Sequence, residues 1–232
     1  MKTRQRPLLL RPTFFLLTTL LLLLHHTNPT HSLINPTAFS AQAPVPTPST
    51  IYPTENNTEF IRTSCASTRY PELCFNSLSG YASAVQEDPA RLARVAIAVS
   101  LNNARQGAAY FSNLSKEDDY GADLRVSAAL HDCYSSFGDA VDQLRGSLDQ
   151  MRHLVGAGSS LTFRFQMSNV QTWMSAALTN EDTCKDGFDG VSVGPMKMDV
   201  FDCVQRVEAV TSNALALVNT FAATVSTDST SP

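Results

Sequence analysis

Asp88-Pro89-Ala90-Arg91-Leu92-Ala93-Arg94-Val95-Ala96-Ile97-Ala98-Val99-Ser100-Leu101 opens the stretch that decides the fold. From here onward Ala90, Ala93, Ile97, Leu101, Ala104, Ala108 and Phe111 recur at steps of three and four. That is the spacing at which side chains stack on one face of an α-helix. Asp88 suits the N-cap, where a carboxylate accepts from orphan backbone N–H groups, and Pro89 suits the first helical position. The period returns three times. Leu130, Cys133, Phe137, Ala140, Leu144, Leu148 and Met151 form a second stripe, closed by Gly156-Ala157-Gly158-Ser159-Ser160. Met167, Val170, Met174 and Ala177 form a third, which stops near Gly187 and Gly190. After Gly194-Pro195 come Val200, Val204, Val207, Val210, Ala214, Leu217 and Phe221. No segment alternates at period two. Four long amphipathic helices with short connections bury their stripes only against one another, so the spacing predicts an all-α, antiparallel up-down four-helix bundle over 88–226.

Upstream, 56–86 holds shorter helical pieces around Phe60-Ile61 and Leu73-Phe75-Leu78. They predict an N-terminal helical hairpin, too small to hold a core of its own. The chain has five cysteines, Cys65, Cys74, Cys133, Cys184 and Cys203. In an oxidising compartment two disulfides and one odd thiol are expected. Many pairings are possible. The short Cys65–Cys74 spacing, with Pro71 favouring a turn between, makes that bridge the favoured one. If Cys133 sits in the second bundle helix and Cys184 near the end of the third, a bridge between them would lock two neighbours and leave Cys203 free. Phe201 and Val204 beside Cys203 point to a partly buried, inert thiol.

The two ends are of different character. Lys2, Arg4, Arg6 and Arg11 followed by an apolar run from Phe14 to Leu24 read as a secretory signal within a leader over 1–43, whose cleavage point the residues leave open. Residues 44–55, with Pro44, Pro46, Pro48 and Pro53, read as an extended linker, and 227–232 as an unstructured tail. The chain carries 17 basic and 21 acidic residues; removing the four basic leader residues leaves 13 against 21, net −8. Such a protein repels nucleic acid and other polyanions and is steered towards a basic partner. No later stretch is apolar enough to span a membrane.

Catalytic signatures are missing. There is no Gly-x-Ser-x-Gly elbow, phosphate loop, dinucleotide fingerprint or zinc-helix motif. His131 and His153 are the histidines outside the leader region. His131-Asp132-Cys133 does not make a relay, because adjacent helix positions point about 100° apart. No cysteine or histidine spacing matches a metal finger, so neither metal nor cofactor is expected. Asp139 and Asp142 share a helix face at i, i+3, and read as a solvated surface; Trp173, Met174 and Met167 read as core. Asn56-Asn57-Thr58 and Asn113-Leu114-Ser115 are N-glycosylation acceptors.

Phe60-Ile61-Arg62-Thr63-Ser64-Cys65, Tyr70-Pro71-Glu72-Leu73-Cys74, and Ala129-Leu130-His131-Asp132-Cys133 followed by Asp139-Ala140-Val141-Asp142 are stretches that resemble the plant invertase and pectin methylesterase inhibitor family. The strongest is Ser168-Asn169-Val170-Gln171-Thr172-Trp173-Met174-Ser175-Ala176-Ala177-Leu178-Thr179, continuing to Thr183-Cys184-Lys185-Asp186-Gly187-Phe188; Thr211-Ser212-Asn213-Ala214-Leu215-Ala216-Leu217 completes it. The resemblance implies a four-helix bundle with an N-terminal hairpin, bridges Cys65–Cys74 and Cys133–Cys184, and a non-covalent complex with pectin methylesterase. It implies partner contacts at Thr183, Asp186, Asp139 and Asp142, and no activity of the chain's own. Where the family usually has an acidic residue two places after the third cysteine, this chain has Ser135, a departure that bears on affinity. Invertase inhibitors often carry a Pro-Lys-Phe element in the loop between the second and third bundle helices, and here that loop, Gly158-Ser159-Ser160-Leu161-Thr162-Phe163-Arg164-Phe165, lacks it. The expected function is therefore pectin methylesterase inhibition in the cell wall, with invertase inhibition or a non-inhibitory wall module as the alternatives. No esterase domain and no small-molecule substrate are expected.

Overall fold

The computed structural model describes residues 55–116, 123–155 and 161–228. The leader, nearly all of the 44–55 linker and the Gly156–Ser160 loop lie outside them. Among the described residues every regular element is helical. Three short helices come first: α1 (Glu55–Cys65), α2 (Pro71–Leu78) and, after one 3₁₀ turn at Ser79–Tyr81, α3 (Ala82–Val85). Four long helices follow: α4 (Pro89–Leu114), α5 (Leu124–Arg152), α6 (Leu161–Asp186) and α7 (Pro195–Asp228).

Helix α4 starts where Asp88 and Pro89 place it. One Asp88 carboxylate oxygen accepts from the backbone N–H of Ala90 at 2.8 Å and of Arg91 at 3.2 Å, satisfying two donors that no helical carbonyl reaches. Asp123 caps α5 in the same way, accepting from Arg125 at 2.9 Å and Val126 at 3.4 Å. Two boundaries depart from the sequence expectation. Leu161–Phe165, read as loop, is the first turn of α6, because Phe163 extends the Met167–Val170 stripe inward and meets Phe221 edge-to-face at 6.2 Å. The expected tail loses its first residues to α7, which runs on to Asp228; extending a formed helix needs no new nucleus, so even weak formers such as Ser226 and Thr227 follow.

The long helices pack in a ring, α4 on α5, α5 on α6, α6 on α7, and α7 back on α4. Leu130, Phe137, Leu144, Val170, Met174, Val200 and Val204 are wholly buried between them. The Cys133–Cys184 bridge joins the early part of α5 to the end of α6, which fixes that pair as antiparallel. Helix α4 lies close against α5. Phe111 and Phe137 meet edge-to-face at 4.8 Å, and a Cβ built on Gly107 would stand 2.4 Å from the Phe137 ring. Glycine is therefore required inside α4, although it weakens a helix interior by about 1 kcal/mol.

The hairpin is stapled by Cys65–Cys74 and leans on the bundle. Ile61, Leu78 and Val85 are buried, and the Arg62 guanidinium lies 3.8 Å over the Phe75 ring. Asn213 of α7 holds the loop between α1 and α2 as a strand partner would: its Oδ1 accepts from the Tyr70 N–H at 3.0 Å and its Nδ2 donates to the Tyr70 carbonyl at 2.9 Å.

Two expectations follow from this packing. Gly107→Ala gains helix propensity but drives a methyl into a buried ring, and overpacking wins; a net loss of about 1–3 kcal/mol in urea unfolding is expected. The Cys133–Cys184 bridge spans 51 residues and Cys65–Cys74 spans 9. Replacing the first pair by alanine should lower stability by about 4 kcal/mol and the second by about 3, in the loop-closure model of unfolded-state entropy. Equal losses would show that closure entropy is not what the long bridge contributes.

Candidate functional site

Asp139 and Asp142 lie on α5, Thr183 and Asp186 at the end of α6, and all four are exposed. At about 100° of rotation per residue, Asp139 and Asp142 fall on the flank of α5 that carries Gly146. That flank faces α6, since a Cβ on Gly146 would stand 3.3 Å from the Trp173 ring. Both carboxylates are on the exposed side of α5, roughly 9–13 Å along the axis from the Cys133–Cys184 bridge at 1.5 Å per residue. Thr183 and Asp186 flank the bridge itself. The four residues lie exposed on two neighbouring helices without touching: among the described residues, no hydrogen bond or ion pair joins the α5 pair to the α6 pair. Asp142 is paired with Arg145, and the Thr183 hydroxyl donates to the Thr179 carbonyl at 2.8 Å. Ser135 is exposed on α5.

The remaining candidates are dispersed. His131 and Asp132 are exposed neighbours 3.9 Å apart, and His153 lies 3.5 Å from Asp149 at the far end of α5. Among the described residues no group of three or more His, Cys, Asp or Glu side chains is placed to hold a metal ion, and no helix is long and apolar enough to cross a membrane. Cys203 is the unbridged cysteine, half-buried against a groove of about 400 Å³ lined by Asn103, Tyr110, Asp202 and Arg206. Burial pushes its thiol above the ordinary range, with Arg206 opposing, so little of it is the nucleophilic thiolate. Met167 and Met174 are core, and Trp173 is half-buried. Asn56 and Asn113 are both exposed.

The α6–α7 joint holds residues that the sequence analysis did not single out. Glu181 is wholly buried. One of its oxygens accepts from the Thr211 hydroxyl at 2.9 Å, and the other has no hydrogen-bond partner among the described residues. Burial pushes its carboxyl from 4.5 to about 8; the Thr211 hydrogen bond opposes this and the nearby Glu208 adds to it. Glu181 is therefore a neutral acid below that pH. The signal was present in the sequence: Val170, Met174, Ala177, Glu181 and Cys184 are one stripe at steps of three and four, with a carboxyl in an apolar register. Above Glu181, Lys185 bridges Asp182 at 2.5 Å and Glu208 at 3.1 Å. Around this bridge runs a groove of about 430 Å³, lined by Arg69, Tyr70, Leu178, Thr179, Asp182, Lys185, Glu208 and Ser212.

The sequence model of the family described as plant invertase/pectin methylesterase inhibitor matches residues 59–217. The chain belongs to this family. It is similar to the 21 kDa protein of Daucus carota, 47% identical over 167 residues that cover 71% of this chain and 84% of the carrot protein. It is similar also to pectinesterase inhibitor 3 of Arabidopsis thaliana, 42% identical over 175 residues, 75% of this chain and 84% of that one. Its fold is that of a crystal structure of a mutant pectin methylesterase inhibitor from Arabidopsis, with a TM-score of 0.53 at 19% identity, covering 68% of this chain and 95% of the other. The family is one of inhibitors and not of enzymes, so the chain is a non-enzymatic member, and its all-α bundle with an N-terminal helical extension and two disulfides is the family architecture.

The buried acid of this family member makes its stability depend on pH. Between about 4.5 and about 8 the unfolded chain has released the Glu181 proton and the folded chain retains it. Stability from this group is greatest below about 4.5, declines as pH rises, and stops declining beyond about 8. Thermal unfolding should therefore show Glu181→Gln gaining on the wild type as pH rises across that window, by a few kcal/mol at its upper end. A difference that does not vary with pH would mean that Glu181 is ionised in the fold.

Proposed function

We propose that this protein is a secreted, non-covalent inhibitor of pectin methylesterase that lays its α5–α6 face across the enzyme's substrate cleft. The observation that carries this reading is the 42% identity with pectinesterase inhibitor 3 of Arabidopsis thaliana across most of both chains. In this reading the inhibitor domain is 56–226, and Asp139, Asp142, Thr183 and Asp186 meet the partner. A cleft that takes an anionic polymer presents basic groups, and exposed carboxylates on a rigid helical face suit such a surface. The two disulfides and the two exposed N-glycosylation acceptors, Asn56 and Asn113, support passage through an oxidising secretory route to the cell wall. No cofactor, nucleic acid, membrane or small-molecule substrate enters the mechanism. The esterase loses access to its polymer because the bundle occupies the same surface.

Purified protein should slow methanol release from pectin by a plant pectin methylesterase, and less so as salt rises, because the steering charges lie at the rim. Sucrose cleavage by a cell-wall invertase should be unaffected. Asp139→Ala and Asp142→Ala should each weaken inhibition by no more than about 1 kcal/mol, chiefly through slower association. Unimpeded methanol release at any salt concentration would overturn the proposal, and impeded sucrose cleavage would replace it with the invertase reading.

A further inference from the structure

The end of α6 carries Thr183 and Asp186 on either side of Cys184, whose disulfide ties this last turn to α5 but not to α7. Lys185 lies between those two residues. Its ammonium sits against Asp182 of its own helix at 2.5 Å and against both oxygens of Glu208 on α7, each at 3.1 Å. The Lys185 and Glu208 side chains are 25% and 18% exposed, Asp182 63%. The interhelical half of the bridge is thus the sheltered half, where an ion pair holds geometry better than it does in open solvent. Asp182 is held below the ordinary carboxylate range by the Lys185 hydrogen bond, so it is anionic and locks the ammonium from the other side.

We propose that Lys185 is a positioning residue for the partner-binding face: by joining Asp182 to Glu208 it pins the last turn of α6 to α7 and so fixes the direction in which Thr183 and Asp186 point. This rests on the reading of the α5–α6 face as the surface that meets the esterase. The charge arithmetic gives the inference a distinctive sign. If Lys185 mattered only as a charge, its removal would make an acidic face more acidic and speed its encounter with a basic cleft. As a positioning residue, its removal weakens the complex in spite of the extra negative charge, and does so through faster dissociation, because loosened contacts shorten residence rather than impede approach.

The test compares wild type, Lys185→Met, Lys185→Arg and Glu208→Leu in the full mature protein. Two measurements are made: association and dissociation rates on immobilised pectin methylesterase, and amide hydrogen exchange of residues 183–188 in the free inhibitor. Lys185→Met and Glu208→Leu are expected to raise the dissociation rate about tenfold and to lose exchange protection in that turn, with core amides of α4 and α5 unchanged; Lys185→Arg, which can still reach both carboxylates, is expected to restore both. Lys185→Met binding as tightly as wild type or more tightly, or an unaltered exchange pattern at 183–188, overturns the positioning role. Wild type that fails to bind the esterase at all overturns the proposed function instead, and the exchange measurement then still decides whether the clamp orders the turn.

Discussion

The Cys133–Cys184 bridge is the constraint on which the rest of the molecule depends. It ties the early part of α5 to the end of α6, so the pair with the widest shared surface is fixed in both direction and axial register. A bundle held by apolar stripes alone tolerates sliding, because Leu, Val and Ala side chains interdigitate nearly as well one turn away. A covalent link near one end removes that freedom for the whole pair. The exposed residues of α5 and α6 inherit the consequence. Asp139, Asp142, Thr183 and Asp186 do not touch one another, so no local network sets their spacing. The backbone sets it, through the bridge, the room that Gly146 leaves for the Trp173 ring, and the helical repeat. Such a face is presented ready-made, and little ordering entropy remains to be lost when a partner arrives.

The opposite flank of α6 is fixed by different means. Glu181–Thr211 and Lys185–Glu208 join α6 to α7 by polar contacts, and Asn213–Tyr70 joins α7 to the hairpin. Replacing a buried polar pair with apolar side chains is often neutral or stabilising, so these contacts are weak evidence of stability. What they do supply is a single alignment. The Asn213 amide fits the Tyr70 backbone in one position only, and Thr211 reaches Glu181 only when α6 and α7 are in register. The bridge, the buried acid and the asparagine thus act on three successive joints, α5 to α6, α6 to α7, and α7 to the hairpin.

Most of the architecture was legible in the chain, and the reason is the period. Each long helix carries a stripe of three-and-four spacing, Asp88-Pro89 marks a start, and Gly187 and Gly194-Pro195 mark a stop and a restart. Those signals are local, and local signals survive the loss of tertiary information. Leu161–Phe165 was misread because Gly158-Ser159-Ser160 looks like loop and a single Phe163 carries the stripe across the boundary. Glu181 was missed for the opposite reason. Its position belongs to the stripe, but residue type was allowed to outweigh register, since a glutamate is almost always solvated. The Asn213–Tyr70 and Lys185–Glu208 contacts are of another kind. Their partners lie 143 and 23 residues apart, and nothing in either neighbourhood announces the other.

The size of the proposed face suits one kind of recognition. Helices of 26 and 29 residues are about 40 Å long at 1.5 Å per residue, and two of them side by side span about 20 Å. The product is about 800 Å², which is the area one partner contributes to a standard stable protein–protein interface. No groove is needed for a complex of that kind. Nor are the carboxylates sufficient by themselves. Four exposed polar residues worth at most about 1 kcal/mol each fall far short of the roughly 12 kcal/mol of a nanomolar complex. In the proposed complex their contribution is orientation and speed of approach, and the remainder of the affinity comes from close packing over the two-helix face. A surface that binds by packing is sensitive to half an ångström of misalignment in a way that a surface of isolated charges is not. In the proposed reading that sensitivity is answered by the disulfide between α5 and α6 and by the buried acid and the lysine between α6 and α7, which hold the helices of the face in place.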